Sequence, residues 1–306
     1  MSMRAHASLV GCVLVALLAV GSTTPAAAGS NYPVPYSFAA GIAAELTSPG
    51  SAPPGSNNWA CRPSASHPYP VVLVHGTFGD MTDSWQALSP LLANNGYCVF
   101  ALDYGGSPGS PIQAYGPIED SAGQLSRFVV RVLSSTRARK VDIVGHSQGG
   151  MMPRYYMKFL GGASKVHTLV GLAPSNHGTS LDGLVNVLHA LPSGSQFEIP
   201  LCTACSEQTE GSAFLQRLNA GGDTLPGVNY TVIETRDDEV VTPYTSAFLS
   251  GPGVTNITLQ DQCRIDLADH LAVIYDPIAL RDVLDALDPA HAVRPTCTLV
   301  LPVLGG

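Results

Sequence analysis

The sequence predicts an α/β fold in which a mostly parallel central sheet carries helices on both faces. Three observations predict it. Short apolar runs alternate with longer segments of helical periodicity along most of the chain, the pattern of repeated strand and crossover helix. The clearest of those runs are continuously apolar instead of alternating with polar residues, as expected for strands covered on both sides. The 306 residues are 45% hydrophobic and only 12% charged, enough to build a large core and too apolar for global disorder. No internal repeat interrupts the pattern.

Taken in order, residues 29–69 are rich in Gly, Pro, Ser and Asn and read as an irregular arm. Val71–His75, ended by Gly76, reads as a buried strand. Trp85–Asn94 has helical spacing at Trp85, Leu88, Leu91 and Leu92. Tyr97–Leu102 is a second strand, and Glu119–Ser134 is a helix with Leu125, Phe128, Val129, Val132 and Leu133 on one face. Lys140–Val144 is a third strand, followed by Gly145 and a helix to Leu160, in which Pro153 predicts a kink. Val166–Leu172, Tyr230–Glu234 and Asn256–Leu259 are further strands, and Leu271–Leu287 is a closing apolar helix. Residues 178–222 break the alternation. Leu181, Leu184, Val185, Leu188 and Leu191 form a helical stripe there, and a second short helix is expected around Ala213–Leu218. This region reads as an insertion within a single domain, either packed on the core or capping a site.

The net charge of −8 argues against a nucleic-acid partner, which needs a basic face. At the N-terminus, Leu9–Val20 is almost wholly apolar and Ala26-Ala27-Ala28 offers a small-residue cleavage site. The run falls short of the about 20 residues of a membrane span, so residues 1–28 read as an export signal and the product as a secreted monomer. Of the seven cysteines, Cys12 lies inside this run. The other six suit an oxidising compartment, and sequential pairing (Cys61–Cys98, Cys202–Cys205, Cys263–Cys297) closes the shortest loops.

Gly145-His146-Ser147-Gln148-Gly149 fits the pattern G-x-S-x-G, in which a serine nucleophile stands on a sharp strand-to-helix turn. Gly105-Gly106-Ser107-Pro108-Gly109 fits it as well. The residue after the nucleophile must donate its backbone N–H to the oxyanion, and Pro108 has none. Ser147 follows an apolar strand, and Gln148 has the required N–H. The second oxyanion donor is expected in the loop after the first strand, at Thr77, where Gly76 lets the backbone approach; His75 reads as a structural support of that loop.

A serine hydroxyl needs a histidine to take its proton and a carboxylate to orient that histidine. With the acid preceding the base in chain order, His270 is the best base: it follows the strand Asn256–Leu259 and precedes the last helix. His167 lies at the wrong end of its strand, His189 in the inserted helix and His291 in the tail. For the acid, Asp237, Asp238 and Glu239 all lie just past the strand ending at Glu234, and position does not separate them. Asp269 would need a sharp turn to face the imidazole of His270.

Together, His75-Gly76-Thr77, the Ser147 pentapeptide, Asn176-His177-Gly178-Thr179, Asp238-Glu239-Val240-Val241-Thr242-Pro243 and Asp269-His270 resemble the secreted bacterial class 2 lipases, within the α/β-hydrolases. The Gly-Thr loop and Ser-Gln elbow are also similar to lipase B-type enzymes, in which a threonine hydroxyl adds an oxyanion donor. The resemblance implies Ser147, Asp238 and His270 as the catalytic set and Thr77 and Gln148 as oxyanion donors. It implies hydrolysis of a lipid ester at a water–lipid interface, without metal or organic cofactor. A cutinase-like polyester hydrolase or a short-chain esterase shares all these residues, and a catalytically silent binding module is the reading from another class.

Overall fold

A computed structural model describes residues 31–191 and 201–306. The expected export signal and residues 192–200 of the insertion lie outside the described residues. Among the described residues, six strands form one sheet: β1 Val71–Val74, β2 Val99–Leu102, β3 Val141–His146, β4 Val166–Leu172, β5 Asn229–Glu234 and β6 Val254–Thr258. Their spatial order is β2-β1-β3-β4-β5-β6, and every pairing is parallel. Ten α-helices of the described residues connect and flank them: α1 Phe38–Thr47, α2 Met81–Ser84, α3 Leu88–Asn94, α4 Ile118–Thr136, α5 Gln148–Phe159, α6 Leu181–Ala190, α7 Thr203–Gln208, α8 Ala213–Asn219, α9 Leu259–Gln262 and α10 Pro277–Leu287.

The expected α/β class is the one observed. β1 and β3 are buried at every position, which explains their nearly unbroken apolar sequences. Asp142, the charged exception in β3, is held by His167 Nδ1 at 2.9 Å. That places His167 at the start of β4, at the end of the sheet away from Ser147. α4 buries Ile118, Ala122, Leu125, Val129 and Val132 in one stripe and carries Glu119 and Asp120 in its first turn, where the helix dipole favours acids.

The chain runs from β1 to β2 on one side, then returns to place β3 on the other side of β1. Strand order therefore reverses between β1 and β3, the place beyond the C-terminal strand ends where open α/β sheets bind their ligands. The register sets Val74 opposite Gly145, so His75-Gly76-Thr77 and His146-Ser147 leave the sheet side by side.

Several boundaries differ from the sequence expectation, each for a local reason. The arm contains α1, whose Gly41 lies against α2; a Cβ there would come within 2.2 Å of the Asp83 carbonyl oxygen. Trp85–Asn94 is not one helix. α2 is started by an Asp80/Asp83 capping box and stops at Trp85, and α3 begins afresh with Pro90 in its first turn, where no N–H is needed. Leu271–Leu287 divides into a 3-10 turn, Ala272–Tyr275, and α10, because Asp276 caps the second helix (Ile278 N–H to Oδ1, 2.7 Å) and Pro277 opens it. β6 begins two residues earlier than its apolar pattern suggests, since Thr255 and Asn256 are exposed. α7 occupies a stretch read only as the cysteine pair.

An asparagine makes a two-bond clamp at each edge of the sheet, on the backbone of β2 at one edge and from within β6 to the preceding loop at the other. The Asn57 side chain accepts from the Ala101 N–H at 3.0 Å and donates to the Ala101 carbonyl at 2.9 Å, along β2. On β6, Asn256 makes the same pair of bonds to Leu249, at 3.2 and 2.9 Å. The three expected disulfides are present, with sequence separations of 37, 3 and 34. Cys61–Cys98 ties the arm to the start of β2. Replacing both cysteines by serine is expected to lower unfolding free energy by about 4 kcal/mol from the lost loop constraint, read by urea or guanidinium denaturation. No helix among the described residues is long and apolar enough to cross a membrane.

Candidate active site

β3 ends at His146 and α5 begins at Gln148, leaving Ser147 alone in the turn with φ 51° and ψ −120°. A residue with a Cβ adopts this conformation only when its surroundings impose it. A Cβ on Gly145 would lie 1.8 Å from the Gly149 carbonyl oxygen, and one on Gly149 would lie 2.1 Å from that of Val74. Glycine at both positions lets β1, β3 and α5 meet. The Ser147 N–H donates to Leu172 O at 3.0 Å, fixing the elbow to β4. α5 runs as one helix from Gln148 through Pro153 to Phe159. Ser107 has none of these features; it is exposed in a loop, its Oγ 3.2 Å from the Tyr115 hydroxyl.

The structure separates the three acids past β5. Asp238 is buried, with Oδ2 accepting from His270 Nδ1 at 2.8 Å and Oδ1 accepting the N–H groups of Val240 and Val241, each at 2.7 Å. Asp237 is exposed, and the Glu239 carboxylate only accepts from the His270 backbone N–H, at 3.4 Å. Asp269 caps the turn after His270, accepting from the Ala272 and Val303 N–H groups, so its carboxylate is used on the backbone. Burial opposes protonation of His270, but the Asp238 carboxylate outweighs it and holds the imidazole above its ordinary value. Burial likewise pushes the Asp238 carboxyl up, and His270 with the two backbone donors brings it below the ordinary range.

On the other side of the elbow, a Cβ on Gly76 would come within 3.2 Å of Ser147 Cβ, so the loop after β1 approaches the nucleophile through bare backbone. Thr77 and Gln148 are joined there, the Thr77 hydroxyl donating to Gln148 Oε1 at 2.7 Å. Gln148 is the first residue of α5, where backbone N–H groups have no intrahelical acceptor and the helix dipole favours negative charge. His75 supports this loop, as its position predicts. Its ring stacks on Tyr104 with centroids 4.4 Å apart, and the Tyr104 hydroxyl donates to His75 O at 2.6 Å. Burial pushes the His75 imidazole down to about 4, so it is neutral.

Two residues of the site escape sequence reasoning. His146 occupies a variable place in the pentapeptide, yet its Nε2 is 2.9 Å from the His270 carbonyl oxygen. A carbonyl only accepts, so Nε2 carries the proton, and His146 ties the end of β3 to the loop bearing His270. Burial and the neighbouring His270 push it down to about 3, which keeps it neutral. Gln208, the last residue of α7, is buried, and its Nε2 donates to Thr77 Oγ1 at 2.8 Å and to Gln148 Oε1 at 3.1 Å. Neither contact has a local sequence signal, because each partner is more than fifty residues away.

Ser147 and His270 are 3% and 1% exposed, so the set lies beneath other structure. α6 contributes to that cover: a small cavity of about 20 Å³ is lined by Gly76, Thr77 and His146 below and by Val187 of α6 and Leu191 just after it. A larger cleft of about 550 Å³ lies at the N-terminal ends of β4, β5 and β6, remote from Ser147. Among the described residues no group of three His, Cys, Asp or Glu side chains is arranged to hold a metal ion.

Residues 68–280 match the model of the class 2 lipases. The chain belongs to the class 2 lipase family. This lipase-family chain is 36% identical over 92 residues to a protein named triacylglycerol lipase from Pseudarthrobacter phenanthrenivorans, covering 28% of the chain and 27% of that relative. It is 30% identical over 162 residues to another of that name from Vibrio cholerae, covering 52% and 47%. The chain therefore spans less than half the length of these curated relatives. Among solved structures, lipase B of Aspergillus fumigatus superposes with a TM-score of 0.57 at 20% identity, over 80% of this chain and 57% of that one. The shared architecture is the α/β-hydrolase fold, as the sequence predicts.

Proposed function

We propose that this class 2 lipase-family chain is a secreted triacylglycerol lipase that works through a Ser147 acyl-enzyme. The observation that carries the reading is the buried Asp238–His270 pair beside the strained Ser147 elbow, with Thr77 and Gln148 on the facing side. In the proposed reaction Ser147 Oγ attacks the ester carbonyl while His270 Nε2 takes its proton. Asp238 holds Nδ1 and stabilises the imidazolium that forms. The Thr77 and Gln148 N–H groups receive the oxyanion, a contribution of roughly 3–4 kcal/mol for each donor. The tetrahedral intermediate then expels the alcohol, which takes the proton from His270. Water repeats the sequence on the acyl-enzyme and releases the fatty acid. The chemistry asks for no metal and no organic cofactor.

The described part of the insertion serves in this reading as a cap, with the buried face of α6 (Leu184, Val187, Leu188) and Leu191 just after it over the acyl site. The apolar N-terminal run and the disulfides support export. The test is release of fatty acid from emulsified triolein, beside a p-nitrophenyl ester series of rising chain length and fluorophosphonate labelling. Protein that neither labels nor hydrolyses any of these esters rejects the reading; activity confined to short chains or to polyester films moves it to an esterase or a cutinase-like enzyme.

His270 must be neutral to act as a base. Because Asp238 holds it above its ordinary value, kcat/KM on a soluble ester is expected to fall tenfold per pH unit on the acid side, with its midpoint above about 6.5. A midpoint near pH 5 in a pH–rate profile contradicts the assignment of His270 as base.

A further inference from the structure

Gln208 connects the two residues from which the oxyanion donors are drawn. Its carboxamide is fixed at both ends. Oε1 accepts from the Ser175 hydroxyl at 2.8 Å, and the two N–H groups of Nε2 are shared among three acceptors, Thr77 Oγ1 at 2.8 Å, Gln148 Oε1 at 3.1 Å and the Ala204 carbonyl at 3.2 Å. Its backbone is held as firmly. The Thr179 N–H donates to Gln208 O at 3.0 Å, and a bridge pairs Thr179 with Thr209. The Cys202–Cys205 disulfide closes the N-terminus of the same helix.

A threonine hydroxyl has one proton to give. In this structure that proton points at Gln148 Oε1. For the Thr77 hydroxyl to serve a developing oxyanion it must turn away, and a buried amide oxygen left without a donor costs about 1–3 kcal/mol. Gln208 Nε2 already reaches that oxygen.

We propose that Gln208 is a positioning residue of the oxyanion site, anchoring Thr77 Oγ1 while supplying the substitute donor that lets the Thr77 hydroxyl swing from Gln148 to the substrate oxyanion. No proton changes owner; one O–H···O bond replaces another, and Gln148 Oε1 stays satisfied throughout. A helix of the insertion thereby belongs to the catalytic apparatus. The proposal rests on the Ser147 acyl-transfer reading.

The test is a double-mutant cycle on purified full-length protein: wild type, Gln208→Leu, Thr77→Val and the double variant. For each, kcat and KM on p-nitrophenyl butyrate and the inhibition constant of phenylboronic acid, a tetrahedral adduct former, are measured. Gln208→Leu is expected to lose about 10- to 100-fold in kcat with KM within about twofold, and to bind the boronate more weakly by a similar factor. Because Gln208 acts through Thr77, the double variant is expected to fall no further than Thr77→Val alone. Losses that multiply, or wild-type kcat in Gln208→Leu, overturn the proposal. Gln208→Glu, similar in volume, keeps acceptors but loses the amide donors, and is expected to be as slow as the leucine variant at neutral pH. Wild-type kcat in that variant also overturns it. Wild-type protein inactive on every ester rejects the acyl-transfer reading itself, whereas an active wild type with an unaffected Gln208→Leu rejects the positioning role alone.

Discussion

Ser147→Ala is expected to lower kcat on a soluble p-nitrophenyl ester by about 10^5- to 10^6-fold and to abolish fluorophosphonate labelling. Loss of a nucleophile in a triad of this kind costs nearly as much as loss of all three members, because base and acid have nothing left to act on. The fold itself should survive. The elbow is set by Gly145, Gly149 and the Ser147 backbone bond to Leu172, none of which involves the hydroxyl. Ser107→Ala, at the second copy of the same five-residue pattern, is expected to stay within about twofold of wild type, as is usual for surface changes. Pro108 and the exposed loop around it leave that serine without an elbow or an oxyanion donor. Full activity in Ser147→Ala would remove the proposed nucleophile outright.

Asp238→Asn is expected to cost about 10^4-fold in kcat with little effect on KM. The amide removes the charge that stabilises the imidazolium. The two N–H groups from Val240 and Val241 also require an acceptor at Oδ1, so the amide nitrogen is directed at His270 Nδ1, where it imposes the wrong tautomer. With the carboxylate gone, His270 should titrate lower, and the residual activity should show its acid limb moved down the pH scale. Asp237→Asn and Glu239→Gln serve as comparisons, since Asp237 faces solvent and Glu239 meets only the His270 backbone. An equal loss in Asp237→Asn overturns the choice of acid.

Much of this site was legible in the sequence because its chemistry is written in short local runs. The Ser147 elbow needs glycines at fixed offsets, and His270 follows a strand in an expected chain order. The choice among Asp237, Asp238 and Glu239 was not local. It depends on which carboxylate the turn after β5 folds inward, and family resemblance rather than position pointed to Asp238. Gln208 and His146 were invisible for a stronger reason: their partners lie at separations such as 131 and 124 residues, and nothing in either neighbourhood encodes a distant contact. In the fold, apolar runs marked the central strands well, because two covered faces leave no polar positions. α1 was lost inside a Gly- and Pro-rich arm, since its contact with α2 is made by a glycine rather than by an apolar stripe.

The two asparagine clamps at the sheet margins bear on what happens when many copies crowd together. An open edge is a row of unpaired amides that another molecule can extend. Here the β2 margin is occupied by the chain's own arm at Asn57, and β6 is five residues long, polar on its outer positions and tied to Leu249 through Asn256. When copies are concentrated, edge-to-edge growth into aggregates is the hazard of such a row. With the β2 margin occupied by the arm and β6 short and polar, neither end of the sheet offers a long, flat edge to a neighbouring copy.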